Sequence, residues 1–336
     1  MRLLRPLPLF PAMISPVEIH AKTVLRRMRR IDPWFLAGFG MNLYRGCGHD
    51  CAYCDGRAEK YQVGGSFGSD VQVKVNAVEV LRRELGLESA GQAEFWPGAR
   101  QWHGGFVLLG GGVGDSYQPA EMHYGLARSV LELFAEHAIP VHVLTKSTLV
   151  MRDVDVLQRI ARSAGALVSF SLSSADDSLS SIFEPGAAAP SERLRALEAL
   201  RNHGINAGVF LVPVLPFITD GAESLDASVA AAASAGALYV VFGGMTLKPG
   251  RQKDHYLETL ERVRPDLVPQ CRDLYAAPMG AYSTGINRSF ALAARRHAMP
   301  IRIPLALAPE VLDSQETREM RAAYSKAERE MRRYLA

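Results

Sequence analysis

YRGCGHDCAYCD, the stretch from Tyr44 to Asp55, gathers three of the chain's four cysteines into eight residues. Cys47, Cys51 and Cys54 stand in the order CxxxCxxC. Thiolates this close in sequence converge on one centre. Three are one fewer than the protein ligands a [4Fe–4S] cluster normally takes, so one iron would stay open to a small molecule. Two other readings use the same residues. A disulfide would leave one of the three thiols unpaired, and a chain this poor in cysteine rarely relies on structural disulfides. A zinc ion would take His49 to complete a Cys3His set, whereas structural zinc usually draws its ligands from two separated knuckles.

Around this loop the chain reads as alternating strands and helices. Apolar or β-branched runs fall at residues 39–44, 105–109, 140–145, 166–172, 206–212 and 237–242. Helical periodicity falls between and after them, near 74–86, 120–137, 152–164, 190–203, 222–235 and 251–263. Continuous apolar runs such as GVFLV (Gly208 to Val212) suit parallel strands covered on both faces. The alternation predicts βαβ units with right-handed crossovers. Six units are two short of a closed eight-stranded barrel, and the pattern by itself also fits an open doubly wound sheet. Residues 1–38 read as an N-terminal extension, 39–263 as the core, and 264–336 as a mostly helical C-terminal extension. An irregular insert at 86–104 holds Trp96, Pro97 and Trp102. Arg26, Arg27, Arg29 and Arg30 read as the solvated end of a helix, with phosphate contact as the functional alternative.

The cysteine run resembles the signature of the radical S-adenosylmethionine (radical SAM) superfamily, in which the residue before the third cysteine is usually aromatic; here it is Tyr53. The resemblance implies an α/β fold, a partial (β/α)6 TIM-type barrel with a helical C-terminal extension, whose cluster loop follows the first strand. The cysteines do follow strand 39–44. It implies that SAM chelates the open iron, that the reduced cluster cleaves SAM to methionine and a 5′-deoxyadenosyl radical, and that this radical abstracts hydrogen from a substrate. An external electron donor of flavodoxin or ferredoxin type is implied as a partner.

Other candidate residues sit at strand ends, where barrel enzymes build their sites. LGGGVGD (Leu109 to Asp115) ends the second strand, and its glycines let a ligand approach the backbone closely. In the superfamily this loop often holds the SAM amino group through backbone carbonyls, which points to Gly110, Gly111 and Gly112, with Asp115 beside them. Lys146, in LTKS after the third strand, suits a carboxylate or phosphate; Thr145 and Ser147 there also read as a capping turn. Ser169 and Ser171 alternate along the fourth strand, either to reach a ribose or as ordinary polarity facing a wet barrel. In the superfamily the rim VPVLP (Val212 to Pro216) packs on the SAM adenine, which makes Val212 and Pro213 candidates.

Four segments narrow the resemblance to the spore photoproduct lyase-like branch: GVGDSYQPAE (112–121), LTKSTLVMRDVDVL (144–157), EPGAAAPSERL (184–194) and PVLPFITD (213–220). In that branch a hydrogen-donating cysteine aligns with Gly112 and a serine with Gly114, while Asp115 is retained. Glycine has no hydrogen to donate from a side chain. Tyr117 and Cys271 are then the candidate donors, although Cys271 by itself reads as a small buried residue.

A formal net charge of +3 over 336 residues neither demands nor forbids a nucleic-acid partner. No run approaches ~18 uninterrupted apolar residues, so no membrane partner is expected. Pro6, Pro8 and Pro11 break the start as a signal-peptide core, and the chain reads as cytoplasmic. The substrate is open among a nucleic acid, a peptide and a small metabolite. A non-catalytic zinc-binding module that contacts nucleic acid through the arginine cluster is the alternative of a different class.

Overall fold

The computed structural model describes residues 16–61, 63, 65–87, 105–111, 113–276 and 280–309, with helical positions at 318, 321–326, 329 and 333. Gly112 and nearly all of the insert expected at 86–104 lie outside the described residues.

The described chain opens with β1 (Val17–Ile19), β2 (Leu25–Asp32), β3 (Ala37–Met41), β4 (Tyr44–Arg45), β5 (Gln72–Lys74) and α1 (Ala77–Glu84). It continues through β6 (Phe106–Leu109), α2 (Glu121–Tyr124), α3 (Leu126–Glu136), β7 (Val141–Thr145), α4 (Val154–Ser163) and β8 (Ala166–Leu172). Then come α5 (Asp177–Phe183), α6 (Pro190–Asn202), β9 (Asn206–Val214), α7 (Ala222–Ser234), β10 (Val240–Gly244) and α8 (Arg251–Val263). Two further helices, α9 (Val268–Leu274) and α10 (Gly280–Arg296), follow.

Seven strands form one sheet in the order β10-β9-β8-β7-β6-β3-β2. The six strands β3 and β6 to β10 are parallel; each of β6 to β10 leads into helix, β3 reaches α1 only after β4, the cysteine loop and β5, and β2 runs antiparallel at the edge. The sheet curls into a half-barrel, so the partial (β/α)6 architecture is the fold. Every residue of β8, ALVSFSL, is buried. Val168, Phe170 and Leu172 face the helices and join the main core. Leu167 faces inward, among Phe106, Phe210 and Tyr239. Burial on both faces is why these strands read as unbroken apolar runs.

Three local expectations are corrected. The arginine segment is strand β2 rather than a helix end. Arginine favours helix locally, but here Leu25 to Arg27 pair with Phe39 to Met41, and Ile31 is buried inside the barrel. Available backbone partners override propensity. The single strand expected at 39–44 is divided: β3 ends at Met41 in the main sheet, and β4 belongs to a small second sheet ordered β1-β5-β4. The single helix expected at 120–137 is two, because Gly125 turns left-handed with φ 61°. The buried Glu121 carboxylate fills that break, accepting from the Ala127 N–H at 3.0 Å and from the Tyr44 hydroxyl at 2.6 Å.

The turn between β2 and β3 floors the half-barrel. Asp32 fastens it by accepting from the Trp34 N–H at 2.7 Å. Leu36 is fully buried, the Phe35 carbonyl accepts from His142 at 2.9 Å, and the Phe35 ring stacks on Phe210 with centroids 5.1 Å apart. At the C-terminal side Phe290 of α10 stacks on Phe242 of β10 at 4.5 Å, and the Tyr324 hydroxyl donates to the Ile303 carbonyl at 2.5 Å.

Candidate active site

The cysteine loop leaves the small sheet through Gly46, at φ 76°, and is pinned from several directions. Gln118 accepts from the Gly48 N–H at 2.8 Å and donates to the Gly46 carbonyl at 3.2 Å. Gln252 of α8 donates to the Tyr53 carbonyl at 2.9 Å, and Arg57 donates to the Cys51 carbonyl at 3.0 Å. The Ala52 N–H donates to the Phe183 carbonyl at 2.8 Å, tying the loop to α5. Backbone groups of an irregular loop are thereby satisfied away from water.

Cys47, Cys51 and Cys54 are all free thiols and line one cavity of about 250 Å³. The Gly56 N–H donates to Cys54 Sγ at 3.4 Å. Burial, then Asp115 and the other two thiols, pushes the Cys47 thiol well up; burial likewise raises Cys51 and Cys54. A positive metal centre reverses that tendency and holds thiolates deprotonated. Among the described residues no three His, Cys, Asp or Glu side chains gather where one ion would sit. Thiols spread around a common space fit a polynuclear cluster, in which each takes its own iron. His49 is turned to other partners. Its Nδ1 lies 3.0 Å from the Gly186 carbonyl and its Nε2 3.0 Å from Asp115 Oδ2, so both ring nitrogens are engaged with protein oxygens.

Asp115 joins three loops. Besides His49 it accepts from the Thr145 hydroxyl at 2.9 Å, the Lys146 N–H at 2.7 Å and the Tyr117 N–H at 2.8 Å. Burial pushes its carboxyl up, but His49 and these N–H donors outweigh burial and hold it below the ordinary carboxylate range. Across the cavity Lys146 Nζ lies 2.5 Å from Ser171 Oγ and 5.8 Å from the Tyr53 ring centre. Ser171 also donates to the Val212 carbonyl at 2.8 Å. Behind them Glu184 and Arg193 form an ion pair in which both side chains are fully buried. Glu184 also accepts from the Tyr53 hydroxyl and, at 3.0 Å, from Ser180. Burial opposes the Glu184 charge, yet Arg193, Lys146 and the Tyr53 hydroxyl bring its pKa down to about 2. The guanidinium is completed by the Ala188 and Ser171 carbonyls, each at 2.6 Å.

Of the residues singled out in the sequence, Tyr53, Gly111, Asp115, Lys146, Ser171, Val212 and Pro213 line the cavity with the cysteines. Gly110 sits one step behind it, at φ 88°, where a Cβ would meet the Leu144 carbonyl at 2.7 Å. Ser169 lies deeper in the barrel, 2.7 Å from His142 Nε2 and 2.6 Å from the Tyr239 hydroxyl. Tyr117 is buried with its hydroxyl on Asp153 at 3.0 Å, and Cys271 is buried on α9; neither lines the cavity. Glu184, Arg193, Gln118, Gln252 and the aromatic residues Trp34 and Phe35 were not read as site residues. A charge inside the apolar context SSIFEPG was the available signal for Glu184. An aromatic pair directly after Asp-Pro was the signal for Trp34 and Phe35.

Comparison with known proteins agrees with this architecture. The profile of the radical SAM superfamily matches residues 41–229. An uncharacterized protein of Mycobacterium bovis is 34% identical over 241 residues, covering 70% of this chain and 67% of that protein. One from Methanocaldococcus jannaschii is 26% identical over 248 residues, covering 73% of this chain and 83% of its own length. A solved structure of spore photoproduct lyase with AdoMet and dinucleoside spore photoproduct bound has the same fold, with a TM-score of 0.50 at 16% identity. That likeness covers 71% of this chain and 66% of the lyase, just under two thirds of it. The profile spans the cysteine loop and, in full, four of the six parallel strands, β6 to β9, and this chain belongs to the radical SAM superfamily of enzymes, which work with an iron–sulfur cluster, SAM and an external electron donor.

Proposed function

We propose that Cys47, Cys51 and Cys54 hold a [4Fe–4S] cluster with one iron left open, and that Gly111, Lys146, Ser171, Val212 and Pro213 hold SAM beside it. The single observation that carries this reading is the convergence of three free thiols of one pinned loop on a cavity that also presents Lys146 and Ser171. When bound, the cluster supplies the electron that cleaves SAM reductively to a 5′-deoxyadenosyl radical able to take hydrogen from a substrate. The protein's own residues bind, orient and shield. Lys146 offers a cation suited to a carboxylate, steadied by Ser171. Glu184 and Arg193 keep Tyr53 in place under the cysteine loop. Phe35, Phe210 and Leu144 make the inner end of the cavity apolar and exclude water. Electrons come from outside, from a donor of flavodoxin or ferredoxin type. The substrate class this reading favours is a nucleic acid, with a peptide or small metabolite as the other outcomes.

Anaerobic protein with full iron and sulfide content, reduced with dithionite, should release 5′-deoxyadenosine from SAM even without substrate. A fully loaded, reduced cluster that releases none overturns the proposal, as does a colourless zinc protein. Thiol-quenched lesion reversal is not part of the reading, since the aligned donor position is Gly112. The natural protein should therefore revert spore-type thymine dimers poorly; rapid stoichiometric reversion would restore that activity.

A further inference from the structure

We infer that Arg57 is a positioning residue for the cluster, whose buried guanidinium holds the Asp50–Cys51 turn in place and raises the potential at which the cluster accepts its electron. The inference rests on the proposed function, in which Cys47, Cys51 and Cys54 hold that cluster. The step concerned moves one electron from the external donor into the cluster, with no bond made or broken and no proton transferred.

Arg57 closes a short 3-10 turn, Asp55–Arg57, that begins directly after Cys54. Its N–H donates to the Cys54 carbonyl at 3.1 Å. The side chain then doubles back against the cysteine loop. Nε donates to the Cys51 carbonyl at 3.0 Å. Nη2 donates to the Asp50 carbonyl at 3.2 Å and also to the Asp50 carboxylate. Asp50 takes a left-handed backbone, at φ 51°, which aspartate tolerates better than most residues. Two bonds from one guanidinium nitrogen fix it in that conformation. The guanidinium lies over the Phe67 ring, 4.9 Å from its centre, and Phe67 packs in one apolar cluster with Cys47 and Val63. One side chain thereby braces the loop from Cys47 to Cys54.

Stapling backbone carbonyls does not require a charge, since a neutral amide also donates. Arg57 is a cation only 8% exposed, and it does not line the ligand cavity. Burying a charge is costly even when it is paired. Its partner does not cancel it at the cluster. The Asp50 side chain is 34% exposed against 9% for Arg57, so water screens the carboxylate more than the guanidinium. The cation already acts on one thiol, where it offsets part of the burial that pushes Cys54 up. The other charges around the loop are otherwise engaged. Glu184 and Arg193 answer each other in a buried ion pair. Asp115 sets a buried negative charge on Cys47, which makes a cluster there harder to reduce. Lys146 faces the cavity, where a SAM carboxylate is its proposed partner. An electron added to the cluster makes it one unit more negative, and a fixed cation beside it stabilises that state.

The test is the midpoint potential of the cluster in full-length anaerobic protein without SAM, followed by electron paramagnetic resonance during a mediated dithionite titration. All proteins are compared near pH 8, because His255 of α8 also faces the Arg57–Asp50 pair and is neutral there. Arg57→Gln, loaded with the iron and sulfide of the natural protein, should be about tenfold harder to reduce, the order of one unit charge acting over about 10 Å at an effective dielectric of about 20. For one electron that is a potential lower by about 59 mV. Arg57→Lys keeps the charge and should recover most of the shift. Asp50→Asn keeps the tolerance for a left-handed backbone, leaves Arg57 its carbonyl partners and removes the counter-charge, so it should raise the potential. Opposite shifts from the two members of one ion pair do not follow from stapling alone. An unchanged potential in loaded Arg57→Gln overturns the inference, as does Arg57→Lys shifting as far as Arg57→Gln. If Arg57→Gln fails to hold a cluster, Asp50→Asn decides: a rise supports the inference, and an unchanged or lower potential overturns it. A natural protein without a reducible cluster refutes the proposed function itself. One with a reducible cluster indifferent to both charges refutes the role of Arg57 alone.

Discussion

Asp115 shows how one side chain organises the site: a single buried carboxylate accepts from His49, Thr145 and two backbone N–H groups. Asp115→Asn puts an amide N–H2 among donors and should cost about 1–3 kcal/mol, the range for an unsatisfied buried polar group, read by denaturation of the metal-free protein. The thiols divide cleanly at the same scale. Each of Cys47→Ala, Cys51→Ala and Cys54→Ala should abolish the brown chromophore of anaerobic protein, and Cys271→Ala, remote on α9, should keep it. Acid stability is also set by single residues. Burial pushes His142 down to about 4, against the Phe35 carbonyl, so it is neutral in the folded state. A group depressed on folding contributes stability above its ordinary value, about 6.5 for histidine, and loses it as pH falls through the folded value. Stability should therefore decline from about pH 6.5 to 4 by about 3 kcal/mol through His142. A second decline should follow from pH 4.5 toward 2 through Glu184. Denaturant midpoints measured against pH check both steps, and His142→Gln should flatten only the first.

Elements here succeed or fail on a few backbone positions. The break between α2 and α3 lies at Gly125, where φ is 61° and nothing stands within 4 Å of the point a Cβ would occupy. Gly125→Ala thus meets no neighbour but adopts a left-handed backbone, and thermal unfolding should show a loss of about 1 kcal/mol. Gly208 on β9 presents the opposite case. Its φ carries no such strain, but a Cβ there would come within 2.4 Å of the Tyr239 ring. Gly208→Ala should cost about 1–3 kcal/mol through overpacking, and Tyr239→Leu in the same chain should relieve part of it.

At the scale of the molecule, the half-barrel has no seventh and eighth βα units among the described residues to close it, and the N-terminal hairpin supplies its floor. Leu36 is fully buried in the inner core beside Phe106, Leu167 and Phe210. Leu36→Ala should cost about 2–5 kcal/mol, the range for emptying a packed core site, and should raise binding of a hydrophobic dye. A loss below about 1 kcal/mol would mean that the hairpin does not floor the barrel. No helix among the described residues is long and apolar enough to cross a membrane.

What the sequence determined by itself was whatever is local or periodic. β8 and α8 fall at 166–172 and 251–263, the bounds their periodicity gave, because burial on both strand faces and on one helix face is written in consecutive residues. The three clustered cysteines were legible for the same reason, since one short loop carries all of them. Tertiary structure alone decided the rest. It made a strand of the arginine-rich segment 25–32, because the free edge of β3 offered hydrogen bonds that no local propensity records. It joined Tyr53, Glu184 and Arg193, which lie 131 and 9 residues apart along the chain, into one buried network. It took both ring nitrogens of His49 for Gly186 and Asp115, and set Ser171 on the cavity while leaving Ser169 inside the core. Spacing in sequence fixes which way a side chain points along its own element; which partner waits there is fixed only when the sheet curls and brings distant elements within hydrogen-bonding distance.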